Sequence, residues 1–321
     1  MVYPVRPMGT EDAAAPRPLL ERLRAQFPDS SGRTIRAWLA AGRVRVDGLL
    51  ARDGREPVGP VARVELGPPP APVLPPPLRL VHEDGDLLVI DKPAGLLTIA
   101  TERDRERTAY RLVWDYLAAQ RPPRRPFVVH RLDRETSGLL VVAKSVAAKR
   151  ALQAQFRARR VDRRYEAVVE GVVRDDAGTL DSLLVEEPSR RVHGATGRGA
   201  APGSRRAAPA RRAITHFRVL ERGEDATRLA LTLGTGRRHQ IRVQLAERGH
   251  PILGDPAHGS RRDPLRRLCL HATQLGFVHP TTGARLSFQS AAPPPFARIR
   301  ASAPPRRPRA SPRGRRPTGA T

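Results

Sequence analysis

The pattern of apolar and polar positions divides the chain into a short module at 17–67 and a longer region at 78–300. In the module, two apolar runs at helical spacing predict two helices, the second capped by Ser30 or Ser31 and ending at Gly42. The alternating run RVRVDGLL then predicts two short strands joined by a tight Asp-Gly turn. Three further apolar positions predict a last strand: Val61, Val64 and Leu66. The module is therefore expected to be a small α+β unit.

Strand and helix patterns also mix in the longer region. The run LRLVHEDGDLLVIDKPAGLL predicts two strands and a Lys-Pro-Ala-Gly turn at 92–95, and helices are predicted at about 108–120, 146–159 and 239–248. The apolar runs VVHRL and LLVVA predict strands on either side of the turn DRETSG, and RYEAVVEG and RLALTL alternate as strands do. This region has enough patterned length to form the main domain.

Three segments lack such patterning. Residues 68–77 are proline-rich and predict a stiff extended linker. Residues 188–212 are basic and rich in Gly and Ala, and they predict a mobile loop that interrupts the main domain. The tail at 301–321 has no acidic residue and almost no apolar one, which predicts disorder.

Composition favours a polyanionic partner. The 321 residues include 58 basic and 32 acidic ones, a net charge of +26, and all but three of the basic residues are arginine. GC-rich coding explains arginine in place of lysine but not the excess of positive charge, which suits phosphate groups.

A single cysteine excludes a disulfide framework and a cysteine-rich zinc site. No apolar run approaches the roughly 20 residues of a membrane helix, and no secretory signal is seen. We expect a cytoplasmic protein without membrane association.

Two motifs carry candidate chemistry. In VHRLDRETSGLLVVAKS, Asp133 stands between two arginines on a turn bounded by apolar runs. Taken as an isolated turn, the pattern favours an ordinary loop aspartate that Thr136 or Ser137 satisfies. A kinase loop is rejected because Leu132 separates Arg131 from Asp133. In LTLGTGRRHQIRVQLAERGHPILGDPAHG, two arginines four residues apart, Arg238 and Arg242, share a predicted helix face. These two arginines could bind a phosphate or a carboxylate. The alternative is that they form a solvated basic helix face.

The order of the motifs decides between these alternatives. This chain resembles the RluA-like family of pseudouridine synthases, because six motifs occur in the order seen in that family. They are DKPAGL, HRLDRETSGL, RRYEAVVEG, TGRRHQIR, GHPILGD and LHATQLGFVHP. The resemblance implies an α+β fold with a mixed, largely antiparallel central sheet and flanking helices. It implies Asp133 as the catalytic aspartate, Tyr165 as the active-site tyrosine, Arg242 as the partner of the aspartate and Arg131 as the residue that helps displace the target base. Three positions depart from the family's usual pattern: Arg238, Gln244 and His258.

The module at 17–67 resembles the S-four-like RNA-binding module, with Arg33, Arg36, Arg43 and Arg45 expected on its phosphate-facing side. The implied activity is isomerisation of uridine to pseudouridine in structured RNA. Ribosomal large-subunit RNA is the expected substrate and transfer RNA the alternative. The reaction requires no cofactor or metal, and we expect a monomer. Two competing hypotheses are an RNA-binding assembly factor without turnover and a structural ribosome-associated protein.

Overall fold

The computed structural model describes residues 15–68, 71–101, 107–187, 192–195 and 209–298. The chain divides into two compact units, Met1–Val73 and Leu74–Thr321. The division falls inside the segment predicted as a linker, because Leu74 and Leu78 are buried in the core of the second unit. The predicted disordered tail lies outside the described residues, as does most of the predicted basic loop.

The first unit has two helices and five short strands among its described residues. In chain order they are β1 (Arg17–Pro18), α1 (Leu19–Gln26), α2 (Gly32–Ala40), β2 (Val44–Val46), β3 (Leu49–Leu50), β4 (Pro57–Val58) and β5 (Val64–Leu66). Ser31 caps α2, since its hydroxyl accepts a hydrogen bond from the backbone of Thr34 at 3.1 Å. The predicted turn at Asp47 and Gly48 is present, with φ positive at both residues. The predicted last strand starts at Val64, not Val61, whose side chain is 95% exposed.

The second unit is built on one large sheet. Its elements are β6 (Arg79–Glu83), β7 (Leu87–Lys92), α3 (Ala109–Ala118), β8 (Phe127–Val128), β9 (Ser137–Ala143), α4 (Val146–Arg157), β10 (Asp162–Glu170), β11 (Ala177–Glu186), β12 (Val192–Gly194), β13 (Arg211–Arg222), β14 (Ala226–Leu233), α5 (Gln240–Glu247), β15 (Leu270–Val278), β16 (Arg285–Gln289) and α6 (Pro295–Arg298). The strand order is β12-β11-β13-β14-β10-β15-β9-β7-β6, with β16 beside β15 and β8 beside β9. Among these described strands every pairing is antiparallel except that of β9 with β15.

The predicted helices at 108–120, 146–159 and 239–248 are α3, α4 and α5. Thr108 and Ser145 cap the first two through their hydroxyls, as helix-start residues do. The predicted strand VVHRL is largely absent, because only Phe127–Val128 pairs with β9 and the chain then bends toward the turn. Within the segment predicted as a basic loop, Val192–Gly194 instead form β12, since Val192 is buried with Val243 of α5.

The parallel contact between β9 and β15 brings the candidate site to the middle of the sheet. Gly138 has φ +111°, and a Cβ there would lie 2.3 Å from the carbonyl oxygen of Ala272. Only glycine fits this approach. All seven residues of β9 are buried, so the turn that precedes it is anchored to a fixed strand. No helix in the described part of the chain is long and apolar enough to cross a membrane.

Candidate active site

The turn that carries Asp133 is held by the turn that follows β7. The Thr98 hydroxyl donates to the carbonyl of Leu132 at 2.7 Å and accepts from its backbone N–H at 3.2 Å. The backbone N–H of Gly95 donates to the carbonyl of Arg134 at 2.9 Å. The backbone on both sides of Asp133 is therefore fixed, while its side chain stays 19% exposed. This arrangement combines a rigid backbone with an accessible carboxylate.

A buried lysine completes the support of this turn. Lys92 is fully buried, and its Nζ donates to the carbonyls of Pro93, Leu96 and Arg134 at 2.7–3.1 Å. Burial lowers the pKa of Lys92 to about 7, although Glu135 and Asp133 oppose the shift. The three carbonyls tie the end of β7 to the turn that carries Asp133.

Arg242 of α5 contacts two carboxylates unequally. Its Nε and Nη2 donate to Asp255 at 2.7 Å each, whereas its Nη1 lies 3.5 Å from Oδ2 of Asp133. Burial opposes ionisation of Asp255, but the hydrogen bonds from Arg242 and His258 outweigh it and hold the pKa of Asp255 below its ordinary value. The guanidinium is thus anchored by Asp255 and faces Asp133 with its remaining nitrogen.

A histidine lies on the other side of Asp133. His239 precedes α5 with φ +51°, a left-handed conformation uncommon for a non-glycine residue. Its Nε2 is 3.9 Å from Oδ2 of Asp133, and its ring packs edge-on against His258 at 5.2 Å. Burial lowers the pKa of His239 to about 4, with Asp133 opposing, so the ring is neutral at neutral pH.

Tyr165 lies on β10 and is 9% exposed. It belongs to the same buried cluster as Leu132, the residue before Asp133. Burial raises the pKa of Tyr165; the charge of Arg163 opposes this rise and that of Asp133 adds to it. The hydroxyl is therefore protonated at neutral pH and lies within electrostatic range of Asp133. The structure brings Asp133, Tyr165 and Arg242 into one region.

The predicted RNA-binding residues do not form one group. Arg131 is exposed beside Asp133. Arg238 is in the turn before α5, not on the helix, and pairs with Glu186 at 3.2 Å. In the first unit, Arg33 and Arg36 are exposed on α2. Arg43 donates to the carbonyl of Gly67 and stacks over Trp38.

Sequence reasoning gave no role to Asp255, His239 or Lys92. Asp255 ends the motif GHPILGD, so its position was visible but its pairing with Arg242 was not. His130 has a structural contact beside this turn, since its Nε2 accepts a hydrogen bond from the backbone of Val141 at 3.2 Å. Cys269 is free and buried.

Comparison with known proteins assigns the family. The family model for RNA pseudouridylate synthase matches residues 86–247. The ribosomal large subunit pseudouridine synthase D of Haemophilus ducreyi is 32% identical over 303 residues, which cover 87% of this chain and 89% of that protein. The protein of the same name from Escherichia coli strain K12 is 32% identical over 295 residues, 85% of this chain and 86% of that protein. This chain belongs to the RNA pseudouridine synthase family.

Solved structures agree with this assignment. The structure of human RNA pseudouridylate synthase domain containing 4 has a TM-score of 0.55 and 25% identity, covering 68% of this chain and 90% of that one. The expected fold class, α+β with a large and mostly antiparallel sheet, is confirmed. The expected enzyme class, an isomerase acting on RNA, is confirmed as well.

Proposed function

We propose that this protein converts uridine to pseudouridine in large-subunit ribosomal RNA, with Asp133 as the catalytic carboxylate. The observation that carries the proposal is the position of Asp133 on a braced turn, 3.5 Å from an arginine that a second, buried aspartate anchors. The names of the curated relatives support ribosomal large-subunit RNA as the substrate. Transfer RNA is the alternative that the assay must test.

The reaction breaks the bond between ribose C1′ and uracil N1, turns the ring and rejoins C1′ to C5, while C5 loses a proton and N1 gains one. An ionised carboxylate serves either as the nucleophile or as the base beside a developing ribosyl cation. Arg242 places its positive charge beside Asp133, with Nη1 at 3.5 Å from Oδ2. Because its two short hydrogen bonds go to Asp255, it leaves the oxygens of Asp133 available for reaction.

Two further residues have roles in this proposal. The Tyr165 ring would stack on the extruded base, and its hydroxyl would help remove the proton from C5 after the ring has turned. The exposed side chain of Arg131 would take the place that the target base leaves in the RNA stack. Both roles require the target nucleotide to leave its helix, as it must for chemistry at the glycosidic bond.

We further propose that the enzyme acts as a monomer in the cytoplasm. One copy of the chain supplies Asp133, Tyr165 and Arg242, so the site needs no residue from a second copy. Ribosomal RNA as the substrate is consistent with a cytoplasmic location. Sedimentation of the purified protein tests the first statement, and fluorescence microscopy of a tagged copy tests the second.

The decisive experiment uses Asp133→Asn in the full-length protein with unmodified, in vitro transcribed ribosomal and transfer RNA. Release of tritium from C5-labelled uridine should fall by at least about three orders of magnitude, the scale seen when a nucleophile is removed. Asp175→Asn makes the same chemical change at an exposed position and should leave the rate unchanged. Retained turnover in Asp133→Asn excludes Asp133 as the catalytic group. RNA binding without any tritium release by the unaltered protein would favour the assembly-factor hypothesis.

A further inference from the structure

One arginine beside the candidate site has no role in the mechanism above. Arg163 lies on β10, two residues before Tyr165. Its guanidinium is 5.6 Å from the centre of the Phe156 ring, and a Cβ on Gly236 would lie 2.3 Å from its Nη1. Its charge also influences the pKa values of Tyr165 and His130. The guanidinium thus lies beside Phe156 of α4 and the loop before α5, on the strand that carries Tyr165. The Phe156 ring in turn stacks on His130, in the segment before Asp133, at 4.6 Å.

Arg163 has no acidic partner among the described residues. Its Nε is buried and has no hydrogen-bond partner in the described part of the chain. Arg228 and Arg238 also have a buried Nε without a partner, but each pairs with an acid through another nitrogen, Arg228 with Glu166 and Arg238 with Glu186. Arg242 likewise pairs with Asp255. Burying a cation without an anion is unfavourable, and accordingly burial lowers the pKa of Arg163, with Tyr165 opposing. An unpaired guanidinium at this place calls for a negative ligand.

We propose that Arg163 binds a phosphate of the RNA strand next to the target uridine. The proposal rests on the proposed function, since it assumes that the target nucleotide enters between the turn of Asp133 and Tyr165. A nucleotide drawn into that space brings its flanking phosphates with it. A uracil carbonyl would supply a hydrogen-bond acceptor but would not neutralise the charge, whereas a phosphate does both and accepts two parallel bonds from a guanidinium.

The chain offers a matched control in the next residue. Arg164 is exposed, with 57% of its side chain accessible, and lies 3.5 Å from Asp162. Arg163→Met and Arg164→Met therefore remove the same formal charge one position apart. With full-length protein and unmodified large-subunit ribosomal RNA, Arg163→Met should raise KM about tenfold or more, the scale of one hydrogen bond to a charged group. It should also reduce the slope of log affinity against log salt by about 0.7–0.9. The kcat at saturating RNA should stay within about threefold, and Arg164→Met should change none of these quantities.

Gly236→Ala provides a second test that leaves Arg163 in place. The added methyl group would displace the guanidinium, which is the movable end of a flexible side chain, while φ at Gly236 is not in the left-handed region. The variant should fold and should raise KM in the same direction as Arg163→Met. In the Arg163→Met background, Gly236→Ala should add no further change, because both substitutions remove the same interaction with the phosphate. If Arg163→Met does not fold, Gly236→Ala still tests the proposal.

Two outcomes would overturn the proposal. In the first, Arg163→Met and Gly236→Ala have the same KM and the same salt slope as Arg164→Met. Arg163 then neutralises no phosphate. The other is an unchanged slope with a reduced kcat and a shifted pH profile, which would make Arg163 a positioning residue for Tyr165. Failure of the proposed function gives a different result: the unaltered protein binds the RNA with a measurable salt slope but forms no pseudouridine in any variant.

Discussion

Replacing Asp255 by asparagine separates the anchoring of Arg242 from the chemistry of Asp133. The Asp255 side chain is 1% exposed and accepts two hydrogen bonds of 2.7 Å from Arg242 and one of 3.0 Å from His258. The amide keeps the size of the carboxylate but loses its charge, and it can accept only one of the two bonds from the guanidinium. The change therefore leaves a buried cation without its principal anion.

The size of the effect follows from this geometry. Removing one partner of a buried ion pair costs about 3–5 kcal/mol. Asp133 remains 3.5 Å from Arg242 and offsets part of the loss, so we expect the lower end, about 3 kcal/mol. In a unit of this size, 1 kcal/mol lowers Tm by about 2–4 °C, so Tm should fall by about 6–12 °C. We also expect kcat to fall at least about tenfold, because the released guanidinium can move onto Asp133 and occupy its oxygens.

The assay is thermal unfolding followed by circular dichroism, together with C5 tritium release at saturating RNA. Asp181→Asn is the matched control, because Asp181 also binds one arginine, Arg212, through both carboxylate oxygens but on the exposed surface. The Tm of Asp181→Asn should change little.

The pKa of Asp255 is lowered in the folded state. The stabilising effect of this carboxylate is therefore complete above the ordinary aspartate pKa and is lost as pH falls through the lowered value. The Tm difference between Asp255→Asn and the unaltered protein should be constant from about pH 5 to 8 and should narrow below about pH 4.

An unchanged Tm in Asp255→Asn, equal to that of Asp181→Asn, would refute the view that Asp255 anchors Arg242. A lowered Tm with unchanged kcat would keep Asp255 as a stabilising residue but would remove its influence on Asp133. A Tm difference that grows as pH falls would have the wrong sign for a carboxylate with a lowered pKa.

Two further predictions concern Tyr165 and the first unit. Tyr165→Phe should bind RNA normally and turn over slowly, because the ring and its packing remain; a near-normal single-turnover rate would limit Tyr165 to stacking. Removal of residues 1–73, which spares the buried Leu74, should weaken RNA binding and lower the salt slope by about 0.7–0.9 for each phosphate that the first unit neutralises. The shortened enzyme should keep its activity at saturating RNA, and the comparison should be repeated without residues 301–321, whose positive charge could mask the effect.

Local patterns predicted the elements well where neighbouring residues determine the structure. Ser31 and Thr108 start helices because their hydroxyls cap the backbone of residues three positions later. The alternation in β10 and β14 predicted strands that do pair with each other. The prediction of VVHRL as a strand was largely wrong because apolar residues are also buried without pairing: Val129 and Leu132 are 7% and 5% exposed in the irregular segment before Asp133.

The residues that surround Asp133 were harder to predict because they come from distant parts of the chain. Lys92 is 42 positions from Arg134, whose carbonyl it binds, and Asp133 is 109 positions from Arg242. A lysine in a turn is usually a solvated side chain, and only the tertiary fold closes the pocket that holds Lys92. The unpaired state of Arg163 is likewise a property of its three-dimensional neighbours.

The unequal sharing of Arg242 explains how one guanidinium can serve a reactive carboxylate without blocking it. A bidentate pair with Asp133 would fix both of its oxygens and stabilise its charge most in the resting state, which would raise the barrier to attack. Here the bidentate pair goes to Asp255, which is 1% exposed, while the 19% exposed Asp133 keeps one contact of 3.5 Å. His258, a departure from the family's usual residue, contributes a hydrogen bond to the same anchoring carboxylate. The His258 ring also packs against His239. Asp255 and its partners therefore hold both groups that face Asp133, the neutral imidazole of His239 and the guanidinium of Arg242.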